Sequence, residues 1–233
     1  MTACGYSISQ RGGWIWADSE IYRDGAPDDA MVKVGISDGG LIGIGTGFAA
    51  LVGQFRDLFG SLRATSFREA AFSVLPRQLR AARTAKIREM RELGMAYDRP
   101  TDYALIGRTA GEIRGCVFHE ARDFEPAYAD AWLSPDVGII PSTAAEVLAA
   151  AQQQIWRLQR TYCGASGGML TIARLGAAGI ATSRVPLLLG DERAPRLVAA
   201  PAPSAVAAET PAHFVANCRA EEAERVRRYW GFG

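Results

Sequence analysis

Small and larger side chains alternate along the first part of the chain with the two-residue period of β-strands. Residues 2–9 alternate in this way, residues 10–13 predict a turn, and Trp14 to Ser19 returns as a second strand. Two more strands are predicted from Met31 to Ile36 and from Leu41 to Thr46, on either side of a glycine-containing turn. The pattern therefore predicts two hairpins, with four strands before any helix.

After these strands the period changes to that of an amphipathic helix. Its apolar face consists of Phe48, Leu51, Val52, Phe55, Leu58 and Phe59. Ser66 and Glu69 form a capping box that predicts the start of a second helix, which Pro76 is expected to end or kink. A basic helix is predicted from Arg77 to Leu93, so we expect a long helical pair in this region.

The second half of the chain again alternates between hairpins and helices. A third hairpin is predicted from Asp102 to Arg108 and from Glu112 to Glu120, and an irregular stretch follows it. Thr143 and Glu146 then form another capping box. The apolar side of the helix that they start consists of Val147, Leu148, Ala151, Ile155 and Leu158.

A fourth hairpin is predicted from Met169–Leu175 to Gly179–Val185. Hairpins and helices in separate runs are typical of a layered α+β fold, in which helices cover the outer faces of antiparallel sheets. Residues 190–212 are rich in Ala and Pro and predict a linker, which a short charged helix follows. We therefore expect one domain at residues 1–189 and a linker with a helical tail at residues 190–233.

The charge balance argues against nucleic acid or an anionic membrane as a partner. The 233 residues include 26 Lys+Arg and 25 Asp+Glu, which gives a formal net charge of +1. The longest apolar stretch, from Leu41 to Val52, is interrupted by glycines and is too short to cross a bilayer. The first residues also lack the pattern of a signal peptide. We therefore expect a cytoplasmic protein with no nucleic-acid or membrane partner.

Cysteine and histidine positions give no sign of a metal site. The four cysteines are scattered, without a C-x-x-C pair, at Cys4, Cys116, Cys163 and Cys218. His119 and His213 are the only two histidines, which leaves no zinc-ligand spacing and little support for a Ser-His-Asp hydrolase. We expect free thiols, no metal and no cofactor.

Thr2 is a candidate nucleophile because removal of Met1 would leave an N-terminal threonine. Such a residue carries a hydroxyl and an α-amine that can act as its base, with an unperturbed pKa of about 7.7–8.0. Lys33 would favour the neutral amine and charge developing on the hydroxyl oxygen, and Asp18 would hold Lys33 ionised. A common Met-Thr start beside a surface salt bridge is the simpler interpretation of the same residues.

The chain opens with Thr-x-x-x-Gly, its second strand ends in Ala-Asp-Ser, a lysine lies in the third strand, and residues 43–47 have the pattern Gly-x-Gly-Thr-Gly. Together these motifs resemble proteasome β subunits and their bacterial relatives, which are N-terminal nucleophile hydrolases. The Ser-Gly-Gly at residues 166–168, between a long helix and a hairpin, also matches that family. The resemblance covers residues 2–60 and 142–185.

This resemblance implies a four-layer αββα sandwich, here with a helical insertion and a C-terminal extension. It implies Thr2 as nucleophile, Asp18 and Lys33 as its charged pair, the Gly47 amide as oxyanion-hole donor, and Ser166 as a polar residue beside the threonine amine. Gly47, which directly precedes a helix, is chosen over Gly45. A tight strand-to-helix connection for Gly47 and a turn for Ser166 remain alternative interpretations.

The resemblance further implies a threonine-type peptidase that acts on peptides or unfolded proteins within a ring or helical homo-oligomer, with an ATPase or adaptor as a possible partner. Cys163 stands where the family has an acidic residue, and Ser134 is the best candidate for the family's other active-site serine. An inactive subunit with a structural or binding role therefore remains an alternative. A hydrolase of non-peptide amides is another.

Two further features have structural interpretations. Trp14 and Trp16 alternate along one strand and are expected to pack under a helix, and Cys4 is expected to be a small buried strand residue. The basic run between Arg77 and Arg91 is expected to be a solvated helical face or a contact with an acidic subunit.

Overall fold

The computed structural model describes most of the predicted domain. The described residues are 2–19, 21–23, 26–28, 31–62, 66–97, 100–162 and 167–187. Two five-stranded antiparallel sheets, a two-stranded ribbon and several helices form an α+β fold, as the pattern predicts. The predicted linker and tail at residues 190–233 lie outside the described residues.

The first sheet is built on the two hairpins that the sequence pattern places at residues 2–19 and 169–185. Its strands are β1 (Cys4–Ser9), β2 (Gly12–Asp18), β10 (Ala131–Ser134), β11 (Met169–Gly176) and β12 (Gly179–Pro186). They lie in the order β10-β1-β2-β11-β12, with antiparallel pairing throughout. The stretch expected to be irregular thus contributes β10, whose four residues are too few to give a clear alternation.

The second sheet contains the third predicted hairpin. In spatial order its strands are β5 (Gly35–Ile36), β6 (Ile42–Thr46), β7 (Asp102–Thr109), β8 (Glu112–Phe118) and β9 (Pro126–Tyr128). The long strand expected from residue 31 is wrong, because only its last two residues pair with β6. Like β10, β9 comes from the stretch expected to be irregular.

The expectation of four strands before the first helix is also wrong. Two additional strands, β3 (Ile21–Arg23) and β4 (Ala26–Asp28), pair with each other as a separate ribbon. In the described part of the chain, six strands therefore precede the first helix. Three residues are too few to establish a period, and β4 contains Pro27, which disfavours the assignment of a strand.

Two helices, and the helical region after Ser66, begin where the sequence predicts them, whereas the basic helix predicted from Arg77 has no separate start. Helix α1 spans Ala49–Phe59, and α4 spans Ala144–Tyr162. The Oγ1 of Thr143 accepts a hydrogen bond from the Glu146 amide at 3.3 Å, as expected of the capping box. At the start of the other helical region, the Ser66 hydroxyl accepts one from the Glu69 amide at 3.1 Å.

Pro76 is expected to end or kink the helix, and of these two outcomes the end is wrong. α2 (Phe67–Glu69) continues through a π-helical turn at Ala70–Val74 into α3 (Leu75–Glu92), which contains Pro76 in its first turn. Proline lacks an amide hydrogen, and its ring collides with the carbonyl four residues earlier in a regular α-helix. The wider π-helical turn accommodates the proline, so the chain remains helical through it.

Three buried clusters show where the sheets and helices pack. The cluster between the two sheets includes Tyr6, Ile15, Ile42, Ile44, Ala104, Ile106 and Ala173. A second cluster packs α1, α2 and α3 on the second sheet, with Phe55, Phe59, Phe67 and Leu79 against Tyr103, Leu105 and Phe118. The third packs α4 on the first sheet, with Val147, Ala151 and Ile155 against Trp16, Leu170 and Ile172. Each sheet thus has one face against the other sheet and one against helices.

The two tryptophans of β2 lie under α4, as predicted. The indole Nε1 of Trp16 donates a hydrogen bond to the Gln154 side chain at 2.9 Å, and that of Trp14 donates to the Ser142 carbonyl at 3.2 Å. The amide of Gln154 in turn donates to the Cys4 carbonyl at 2.7 Å. Buried polar groups are thereby satisfied where α4 crosses the sheet. Among the described residues, no helix has the length and apolar character needed to cross a membrane.

Candidate functional site

Thr2, Asp18 and Lys33 lie together at the start of β1, although they are distant in sequence. The Lys33 Nζ donates hydrogen bonds to the Thr2 Oγ1 at 3.1 Å and to the Asp18 Oδ1 at 2.9 Å. The first bond joins an ammonium to a hydroxyl, and the second is a salt bridge. Lys33 therefore connects the hydroxyl to the carboxylate.

The first hairpin positions two of these residues. Antiparallel pairing sets Cys4 opposite Ala17, and the Asp18 amide donates to the Ala3 carbonyl at 3.0 Å. The end of β2 is thus fixed beside the residues that precede β1. Lys33 comes from the extended segment before β5 rather than from a strand, which differs from the predicted third strand.

All three polar side chains are almost fully enclosed by protein. The exposed fraction is 4% for Thr2, 1% for Asp18 and 3% for Lys33. Charged residues with so little exposure are rare unless they are paired. The prediction that these charges form a pair is confirmed, but the pair is not the surface salt bridge of the alternative interpretation.

A second element fixes the other oxygen of Asp18. The Gly167 amide donates to the Asp18 Oδ2 at 2.9 Å, and the Met169 amide donates to the Ser19 hydroxyl at 2.9 Å. The residues that lead into β11 are thus attached to the end of β2. Ser166 and Cys163 lie outside the described residues.

Burial and hydrogen bonding act in opposite directions on the Asp18 carboxyl. Burial raises its pKa above the ordinary value, whereas the Lys33 ammonium and the Gly167 amide oppose that rise because they stabilise the carboxylate. Two charge-assisted bonds to an enclosed carboxylate hold both partners in one geometry. The site therefore presents an oriented ammonium directly to the Thr2 hydroxyl.

Cys4 lies close to Thr2 in sequence but belongs to the core between the sheets. Its side chain is fully buried, and burial raises the pKa of the thiol. A thiol in this state is a poor nucleophile, because the reactive form is the thiolate. The prediction of a small buried strand residue is confirmed.

Gly47 lies between the end of β6 and the start of α1, with a φ of +119°. A Cβ built on it would lie 2.7 Å from the Thr101 Cα and closer still to the Pro100 carbonyl oxygen. Both the backbone conformation and the lack of space therefore require glycine here. This supports the tight-connection interpretation and is compatible with a role for the Gly47 amide as a donor.

The other two glycines of the same run have a packing role. A Cβ on Gly43 would lie 2.6 Å from the Cε2 of Phe59, and one on Gly45 would lie 2.8 Å from the Cδ1 of Tyr103. These glycines let the aromatic rings approach β6 closely. Gly47 thus differs from Gly43 and Gly45 in its positive φ, and its choice as the oxyanion-hole donor stays a prediction.

Ser134 lies at the edge of the same sheet. β10 pairs with β1 so that Ser134 is opposite Cys4, two residues along the chain from Thr2. The pairing with β1 therefore brings this candidate serine to the end of the sheet that holds Thr2. A sequence pattern could not supply this placement, because β10 is joined to β1 only by long-range pairing.

Sequence reasoning missed the hydrogen bonds that three residues make near the site. Gly167 and Ser19 belong to the motifs that carry the resemblance, but their hydrogen bonds are visible only in the structure. Thr101, whose Oγ1 accepts a hydrogen bond from the Phe48 amide at 3.2 Å, has no sequence signal beyond its place after Pro100. Among the described residues, no group of three or more His, Cys, Asp or Glu side chains is arranged to hold a metal ion.

Comparison with known proteins adds no family to this description. No protein-family model matches the chain, and no curated protein matches it.

Proposed function

We propose that the chain is an N-terminal nucleophile hydrolase of the proteasome β-subunit type, a threonine-type peptidase with Thr2 as its nucleophile. The observation that carries this proposal is the buried contact of the Lys33 ammonium with both the Thr2 hydroxyl and the Asp18 carboxylate. An enclosed ion pair directed at a hydroxyl is a costly arrangement for a purely structural role. It is well suited to stabilising an oxyanion that forms on that hydroxyl.

The packing of the elements also supports the proposal. Helices, two sheets and a further helix succeed one another across three buried clusters. We assign this succession to the αββα sandwich of N-terminal nucleophile hydrolases. In such a fold Thr2 would lie at the start of a strand in one of the two sheets, beside the end of the neighbouring strand.

The chemistry requires Thr2 to be the first residue of the mature chain, so Met1 must be removed. The α-amine of Thr2 then accepts the hydroxyl proton while Oγ1 attacks the peptide carbonyl. Collapse of the tetrahedral intermediate breaks the C–N bond, and the leaving amine receives the proton. Water then hydrolyses the resulting ester. The same amine accepts a proton from the water and returns it to Oγ1, which restores the threonine.

Lys33 and Asp18 have different roles in this sequence of steps. The Lys33 ammonium lies 3.1 Å from Oγ1, where it favours negative charge on that oxygen and the neutral form of the amine. Asp18 orients the Lys33 side chain through its bond of 2.9 Å. Neither residue needs to transfer a proton.

Gly47 would stabilise the carbonyl oxygen of the substrate. Its backbone amide is the proposed oxyanion-hole donor, and a fixed backbone amide is effective because it needs no reorganisation during the reaction. Ser166 remains a proposed polar neighbour of the threonine amine. Its nearest described neighbour in sequence, Gly167, is bonded to Asp18.

The biological setting follows from the resemblance alone. In this proposal the protein acts in the cytoplasm on peptides or unfolded proteins. Its subunits assemble into a ring or a helical homo-oligomer, with the active sites facing an inner space. An ATPase or adaptor would be a partner of such an assembly.

Intact mass spectrometry with a peptide epoxyketone tests the central claim. This inhibitor forms a ring with both the hydroxyl and the free α-amine of an N-terminal threonine. We expect a chain that lacks Met1 and gains one inhibitor mass. Thr2→Ala should abolish the adduct, whereas Thr109→Ala, at the far end of β7, should leave it unchanged.

Three other outcomes would contradict the peptidase proposal. A retained Met1 without an adduct would favour an inactive subunit. A freed but unreactive Thr2 would direct attention to Cys163, which stands where the family has an acidic residue. An adduct together with turnover of small amides, but of no peptide, would identify a non-peptide amidohydrolase.

A further inference from the structure

The loop that leads into β7 determines the position of Gly47. Pro100 and Thr101 fill the space where a side chain of residue 47 would lie, and Thr101 is fully buried. Thr101 also accepts a hydrogen bond from the Phe48 amide through its Oγ1, at 3.2 Å. The contact lies against Gly47 itself, and the bond holds the amide of Phe48. Both therefore restrict the backbone directly after the Gly47 amide.

Glu120 holds this loop from the other side. The Glu120 Oε2 accepts hydrogen bonds from the Thr101 amide at 2.7 Å and from the Tyr97 hydroxyl at 2.8 Å. A phenol has one hydrogen, so the Tyr97 oxygen is left to accept from the Thr101 hydroxyl, 3.4 Å away. A chain of donors therefore runs from the Phe48 amide through Thr101 and Tyr97 to the Glu120 carboxylate.

Glu120, whose carboxylate ends this chain of hydrogen bonds, is itself anchored to the second sheet through its backbone. The Glu120 amide donates to the Asp102 Oδ1 at 3.1 Å, and the other carboxylate oxygen of Asp102 lies 3.1 Å from the His119 Nδ1. Asp102 is the first residue of β7 and lies opposite Thr46, which directly precedes Gly47. The network thus fixes the chain on both sides of Gly47.

We propose that Thr101 and Glu120 are positioning residues that hold the backbone around Gly47, and therefore direct its amide at the carbonyl oxygen of a peptide substrate. This inference rests on the proposed function, because it assigns a device to the same site. The bond from the Phe48 amide to Thr101 resists rotation of the peptide group that follows Gly47, and the bond from the Thr101 amide to Glu120 holds Thr101 in place. The carbonyl oxygen is negative in the transition state. The direction of the Gly47 amide therefore affects the free energy of the transition state more than that of the bound substrate.

The kinetic test uses hydrolysis of a fluorogenic peptide by the assembled, mature protein. Thr101→Val removes the hydroxyl at nearly constant volume, so we expect kcat to fall about tenfold to a hundredfold with KM changed less than about twofold. Thr101→Ser keeps the acceptor and should restore most of kcat. Thr109→Val, at the opposite end of β7, is the matched control and should act as wild type.

A second pair of variants tests Glu120 independently. Glu120→Gln keeps an oxygen that can accept from both the Thr101 amide and Tyr97, whereas Glu120→Leu keeps none. We expect Glu120→Leu to lower kcat as Thr101→Val does and Glu120→Gln to lower it less. Melting temperatures of all variants identify a loss that comes from unfolding.

Hydrogen exchange of peptides that contain Phe48 gives a readout that does not need activity. Thr101→Val should accelerate exchange of that amide, and Thr101→Ser should not. If wild type hydrolyses the probe and Thr101→Val keeps its kcat, the positioning role is wrong. If wild type is inactive, the proposed function fails, and unchanged exchange in Thr101→Val would then overturn the positioning role separately.

Discussion

The candidate site and the outer surface of α3 contain the same kind of contact in opposite surroundings. Each has an ion pair with a short separation, 2.9 Å for Lys33 and Asp18 and 2.8 Å for Arg80 and Asp123. The first pair is enclosed by protein, whereas the side chain of Asp123 is 56% exposed. Distance alone therefore does not reveal what an ion pair contributes.

The two carboxyl groups respond to these surroundings in opposite ways. Burial raises the pKa of Asp18, whereas hydrogen bonds from Arg83 and then Arg80 lower the pKa of Asp123. Enclosure removes water that would stabilise a charge, while the exposed group keeps that water and gains its partners in addition. A pair that is kept despite enclosure points to a use other than stability.

Lys33→Met should cause the largest loss of stability, because it leaves the Asp18 carboxyl buried without its ammonium partner. Removing one member of a buried pair costs about 3–5 kcal/mol of unfolding free energy. Urea unfolding followed by circular dichroism measures this. Arg80→Met is the control on the exposed surface and should change the unfolding free energy much less. Equal losses in the two variants would contradict the comparison.

The double variant Asp18→Asn with Lys33→Met sharpens the same comparison. It removes both charges at similar volume and keeps a side-chain oxygen that can accept from the Gly167 amide, so it should recover much of the stability that the single change removes. This variant should nevertheless form no adduct with the peptide epoxyketone. Formation of the adduct would show that the charged pair is dispensable for the proposed reaction.

Gly47→Ala should have the next largest effect. It forces a Cβ into a backbone with φ of +119° and against Pro100 and Thr101, which we expect to cost about 2–4 kcal/mol from strain and overpacking. Gly179, in the β11-β12 hairpin, has a φ of +110° and open space around its missing Cβ. Gly179→Ala should therefore cost only the strain, about 1–2 kcal/mol. A loss for Gly47→Ala no larger than that for Gly179→Ala would argue against the enclosure of Gly47.

Asp123→Asn should have the smallest effect on the free energy of unfolding, and it should have this effect only above the acidic pH range. The folded-state pKa of Asp123 is lowered, so its contribution is present above the unfolded value of about 3.9 and is lost as the pH falls through the folded value. We expect the stability difference between wild type and Asp123→Asn to shrink below about pH 4 and to decrease with added salt. A difference that grows on acidification would have the wrong sign.

Local patterns in the sequence predict much of this fold. The apolar spacing of α1 and α4 and the alternation of the β1-β2, β7-β8 and β11-β12 hairpins each depend on neighbours within about a dozen residues. Strands β9 and β10 are different, because they are short and gain their order from partners far along the chain. Contacts of that kind leave no period in the sequence.

The residues of the candidate site also divide into those that the sequence brings together and those that only the structure does. Thr2, Asp18 and Lys33 could be grouped in advance because a hairpin brings two of them together and the resemblance supplies the third. Thr101 and Glu120 could not be grouped with Gly47, because residues of three separate segments meet there. The buried state of the charged pair was likewise beyond the sequence, which is equally compatible with a surface salt bridge.

The π-helical turn before Pro76 holds one residue more than a regular helical turn. The Leu75 amide donates to the carbonyl of Ala70, five residues earlier, where an α-helix would use the carbonyl four residues earlier. Deletion of one residue from Ala70–Val74 would therefore restore a regular α-helix and leave the later side chains, including the buried Leu79 and Met90, on their present face. It would also bring the Pro76 ring against the carbonyl four residues earlier, so the extra residue is what allows a proline inside this long helical segment.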